Sequence, residues 1–212
     1  MNGPTVLDII LLLATGLVAA YMVWRFWQRY SWEKKIYAVY YMLSFAVLFV
    51  SGVLLILMSY KVLATPFVLT VASLIPFGLS VGIIRQYFSK YTRPYIWFAT
   101  IGLLLIAYSA FTGSNIKAIA VPVFHSVAGL IVVFGPFLVD KYGDGESKPA
   151  SGFKWISLGG VLISTAGMAL AFLNAGKQLL FFSVSTVNAI LALLLLLMAL
   201  AFAWGFMQDI KN

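Results

Sequence analysis

Apolar runs of about twenty residues, separated by short polar or basic links, recur along the whole chain. A helix needs about 20 consecutive apolar residues to cross the hydrocarbon core of a bilayer. The pattern therefore predicts seven spans, over residues 5–27, 36–59, 62–84, 94–111, 118–139, 155–174 and 178–206. The expected fold class is all-α: a polytopic integral membrane protein whose residues 1–212 form one seven-transmembrane-helix bundle.

Local signals support this division. Asp8 lies about one turn inside the first run, where a carboxylate favours a helix N-terminus and serves as a cap. No basic residue precedes that run, which reads as a retained helix rather than a cleaved signal. Pro66 and Pro76 fall inside the third run, whereas Pro94 falls in the first turn of the fourth, where a helix accepts it. Thr112 to Lys117 and Ala175 to Lys177 have the composition of turns. Residues 140–154 form the one long polar link, expected to be a mobile solvent loop. Its DKYGDGES segment lacks the alternating acidic ligands and closing glutamate of a calcium loop. In the sixth run Gly160 and Ser164, then Gly167 and Ala171, recur four apart and predict close helix packing. The tail from Met207 to Asn212 is too short to form a domain.

Charge then orients the bundle. Eleven of the fourteen Lys and Arg residues lie in alternate links and the tail, while only Lys61, Lys117 and Lys177 lie on the other side. The positive-inside rule places the larger set in the cytoplasm, with the N-terminus outside and the C-terminus inside a cell membrane. Trp24, Trp27, Trp32, Trp97, Trp155 and Trp204 also fall near the predicted inner ends. Arg25, Arg29, Lys34 and Lys35, interleaved with indoles, read as anchors on anionic lipid rather than as a nucleic-acid surface.

Composition narrows the chemistry. Hydrophobic residues make up 63% of the chain and charged ones 9%, with mean hydropathy +1.01; soluble domains are about a quarter charged. There is no cysteine and a single histidine, which excludes thiolate chemistry, bis-histidine haem and His-pair metal sites within the chain. No lysine lies between Gln178 and Phe206, which excludes a retinal Schiff base in the last run.

The stretch from Ala118 to Val139 comes nearest to chemistry, because it holds His125 between Pro122 and Pro136. Helical steps place Pro122, His125, Gly129, Val132, Pro136 and Asp140 on one stripe, expected to meet other helices. Counting from the outer ends of the spans brings Thr70, His125, Ser183, Thr186 and Asn188 to a similar depth, with Tyr108 and Ser164 at nearby levels. These seven residues are the candidate ligand-binding layer in the outer half of the bundle. His125 has two readings: a packing group that donates to a neighbour, or a cavity group serving as proton acceptor, quinone partner or single haem ligand. No carboxylate lies near mid-membrane to support hydrolysis.

The expected function is a non-catalytic integral membrane subunit or accessory protein of a larger assembly, respiratory or lipid-associated. Its expected partners are other membrane subunits or further copies of itself, and no nucleic acid. The alternatives are a small transporter or channel using the outer polar layer, and a haem or quinone protein centred on His125. No cofactor is assigned.

Overall fold

The computed structural model describes residues 4–145, 149–174 and 184–211. Every regular element among them is helical: α1 (Val6–Glu33), α2 (Tyr37–Met58), α3 (Pro66–Ala72), α4 (Leu74–Tyr87), α5 (Thr92–Thr112), α6 (Lys117–Tyr142), α7 (Trp155–Asn174) and α8 (Val184–Lys211). Among the described residues, six segments are long and apolar enough to cross a membrane: Val6–Glu33, Tyr37–Met58, Pro66–Tyr87, Ser89–Thr112, Lys117–Tyr142 and Ile190–Ile210.

The helix ends follow from their sequences. Thr5 caps α1, its hydroxyl accepting the Asp8 N–H at 3.2 Å while the Asp8 carboxylate accepts the Thr5 N–H at 2.8 Å. This reciprocal box satisfies two otherwise orphaned groups and is the capping role expected of Asp8. The third run behaves differently from its prediction. Residues Tyr60–Ala64 wind as a 3-10 turn, so the helix starts at Pro66, capped by Thr65, rather than at residue 62. It then breaks at Ser73, three residues before Pro76, whose ring and missing N–H disrupt the preceding turn.

Helices α1, α2, α4, α6, α7 and α8 form a closed ring, each packed on the next, and α5 lies outside against α3, α4 and α6. α3 packs on α5, whereas α4 packs into the ring between α2 and α6. Every residue of α4 from Ile75 to Ile84 is buried. Two glycines make the entry possible. A Cβ at Gly78 would collide with Ser44 and stand 2.9 Å from the Tyr40 carbonyl oxygen, and one at Gly82 would collide with the Tyr41 ring. The Gly-x-x-x-Gly spacing therefore brings α2 against the α4 backbone.

The outer faces of the ring are apolar. On α1 alone Val6, Ile10, Leu13, Leu17, Tyr21 and Trp24 are exposed at helical spacing, as suits a helix solvated by lipid on one side. On α6 the predicted stripe holds only in its middle. Gly129, Val132 and Pro136 are buried, while Pro122 and Asp140 are exposed, and the helix runs through both prolines. The expected packing of α7 is seen at Gly160, against Val132 and Val133, and at Ser164, against Gly129; Gly167 faces open space.

The long polar link is anchored where it is described. The Tyr87 carbonyl accepts the N–H groups of Asp144 and Gly145 at 3.0 and 3.1 Å, and the Asp144 carboxylate accepts the Lys90 N–H at 3.2 Å. Phe153 is buried against Tyr87 and Phe206. At the end of α4 the Tyr87 carbonyl, without a partner further along its own helix, is satisfied by the described part of the link.

Candidate functional site

Four members of the predicted outer layer, Thr70, Tyr108, His125 and Ser164, fall among residues whose side chains are described. The His125 ring is partly buried beside Phe77, with 5.8 Å between ring centres, and its Nδ1 lies 3.0 Å from the Val121 carbonyl of its own helix. A carbonyl only accepts, so Nδ1 carries the proton and Nε2 is left as an acceptor. Thr70 donates to the Pro66 carbonyl at 2.9 Å, also within its own helix. Tyr108 is exposed on the outer face of α5, and Ser164 sits at the α6–α7 contact. Ser183 and the side chains of Thr186 and Asn188 lie outside the described residues. No hydrogen bond joins any two of the described members.

A different group of polar residues does converge, at the opposite end of the bundle. The ends of α1, α4 and α8 and the start of α2 meet there around Asp209, which is 4% exposed. Arg29 donates from Nη1 to Asp209 Oδ2 at 2.7 Å, Gln86 donates from Nε2 to the same oxygen at 2.9 Å, and the Tyr87 hydroxyl donates to Oδ1. Tyr41 donates to Gln86 Oε1 at 2.9 Å. Arg29 also donates from Nε to Glu33 at 2.9 Å, and Tyr37 donates to the other Glu33 oxygen at 2.7 Å. The guanidinium stands 5.2 Å from the centre of the Tyr37 ring. Glu33, whose side chain is 40% exposed, is the network's opening to solvent.

Aromatic packing closes the network on its other side. Phe206, one turn before Asp209, has ring centres of Tyr41, Phe26 and Phe45 at 4.5, 5.2 and 6.0 Å. This apolar lid keeps water from the carboxylate, which strengthens each charge-assisted bond and raises the cost of losing one. Arg29 is thus turned inward to Asp209 rather than outward to lipid phosphate.

Both members of this ion pair could have been found by following burial stripes past the apolar runs. Arg29 continues the α1 series Ala19, Met22, Phe26, and Asp209 continues the α8 series Met198, Phe202, Gly205. Reading Arg29 as a lipid anchor and residues 207–212 as a tail hid the pairing.

Chemically, the arrangement is a lock. Both Asp209 oxygens and both Glu33 oxygens are engaged by donors that tie α1, α2, α4 and α8 together. Among the described residues no three His, Cys, Asp or Glu side chains could share a metal. A packing gap lined by Ser44, Phe45, Leu48, Ile75, Leu79 and Phe202 lies within the bundle and has no room for water. Comparison with known proteins returned no match, whether to a family model, a curated protein or a solved structure.

Proposed function

We propose that the chain is a seven-span protein of the cell membrane, with α7 as its sixth crossing, the N-terminus outside and the basic end cytoplasmic. In this reading it acts as a non-catalytic subunit or accessory protein within a larger membrane assembly. The observation that carries the proposal is the engagement of both Asp209 oxygens by buried donors from α1 and α4. The buried ionisable groups at the inner end are spent on joining α1, α2, α4 and α8 rather than on a reactive centre. A rigid bundle with apolar outer faces suits a scaffold that docks other membrane helices or further copies of itself. Mild solubilisation of the native membrane followed by sizing tests the proposal: a complex well above the mass of one chain is expected, and a lone monomer would refute it.

One observation favours a second reading. Donation from His125 Nδ1 to Val121 leaves Nε2 as an acceptor, the form of the ring that ligates haem iron or receives a quinol hydroxyl. Visible absorption of the purified protein decides the haem case, since a colourless preparation excludes it. A quinol role is tested by whether His125→Ala abolishes binding of the quinol.

A further inference from the structure

Where the link after α6 leads into α7, Ser151, Lys154, Trp155 and Leu158 line an open groove of about 230 Å³. That is the space of several water molecules at about 30 Å³ each, the scale of a glycerophosphate. Its lining is divided. Ser151 and Lys154 supply a hydroxyl and a cation, whereas Trp155 and Leu158 supply apolar surface and remain about half exposed. The exposed side of α7 continues through Val161, one turn beyond Leu158. Lys154 Nζ stands 5.9 Å from the ring centre of Phe137, itself exposed on α6. No ion pair joins Lys154 to a described carboxylate.

We propose that this groove binds an anionic glycerophospholipid. Lys154 and Ser151 hold the phosphate, the Trp155 indole sits at the glycerol level, and an acyl chain runs along Leu158 and Val161. An indole at the headgroup boundary and a lysine reaching for phosphate match the two solvents that meet at a membrane surface. A zwitterionic lipid carries its own cation beside the phosphate, so the preference is for a net negative headgroup. The proposal rests on membrane residence and is independent of the subunit role.

The test uses the full chain in nanodiscs of phosphatidylcholine with and without phosphatidylglycerol, followed by mild delipidation and native mass spectrometry. Wild type is expected to retain phosphatidylglycerol selectively. Lys154→Gln should lower that retention by about fivefold, the worth of one basic residue at an anionic surface. Lys90→Gln, which removes a charge from the same end without touching the groove, should leave it unchanged. Brominated acyl chains should quench Trp155, read as the difference between wild type and Trp155→Phe, and millimolar inorganic phosphate should not relieve the quenching. Equal retention of both lipids, or equal loss in both lysine variants, would overturn the site. Displacement by inorganic phosphate would overturn the lipid as its source. A chain that failed to enter nanodiscs would refute membrane residence itself, a result distinct from entry without selectivity.

Discussion

Asp209→Asn is the most informative single change, because it keeps the shape of the side chain and removes one charge. The amide nitrogen would face Arg29 and Gln86, or else Tyr87, so at least one of three donors loses its acceptor. Removing one partner of a buried ion pair typically costs about 3–5 kcal/mol, because the other charge stays buried and unpaired. Here Arg29 keeps Glu33 at 2.9 Å, on a side chain 40% exposed. That residual pairing places the expected loss at the lower end, about 3 kcal/mol. For a chain of this length the loss corresponds to about 6–12 °C in the thermal midpoint. The assay is thermal unfolding in detergent of wild type, Asp209→Asn, Arg29→Met and the double variant. The double variant leaves no unpaired charge at Asp209 and should be less destabilised than the two single losses added together. An Asp209→Asn midpoint within about 1 °C of wild type, or strict additivity in the cycle, would refute the lock.

Three further outcomes follow from local geometry. Gly78→Ala should destabilise by about 1–3 kcal/mol through overpacking, because the Tyr40 carbonyl 2.9 Å from the new Cβ is backbone and cannot swing away; Gly167→Ala, which meets nothing within 4 Å, should be neutral or slightly stabilising, and paired melts separate the two. Ser59 holds φ 63° and ψ 173° with its hydroxyl shut away from solvent and unbonded, so Ser59→Gly should relieve about 1–3 kcal/mol of strain and raise the midpoint. Burial and the neighbouring Asp8 carboxylate push the Tyr60 phenol up to about 12; since the folded value exceeds the unfolded one, its contribution is present below pH ~10 and is lost as pH rises through the folded value. The difference in tyrosinate absorbance between wild type and Tyr60→Phe should therefore show one phenol titrating late, and ordinary titration would refute it.

Asp8 and Arg29 show where reading the chain succeeds and where it fails. Both sit on the buried stripe of α1. The partner of Asp8 is three residues away, so helix geometry alone supplied the capping contact. The partner of Arg29 is 180 residues away, and no local rule connects them. The same contrast separates the two glycine signals. Gly160 stands out in an otherwise bland run, whereas Gly78 and Gly82, equally spaced, lie in a run already marked by Pro66 and Pro76.

By itself the chain determined its solvent and its rods: composition and apolar run length prescribe helices that satisfy their own backbone in lipid, and turn residues and caps mark where they end. The charge count oriented those rods by proposal. What only the tertiary structure decided is which helices neighbour one another in the ring and which polar groups meet. Those depend on the close approach of α2 to the α4 backbone at Gly78 and Gly82 and on contacts between residues distant in sequence. Depth along a helix is nearly one-dimensional and can be counted from the sequence, which is why a polar layer could be expected at the outer end. Rotation about the helix axis and choice of neighbour are settled by packing, and they placed the bonded network around Asp209, where α1, α4 and α8 end.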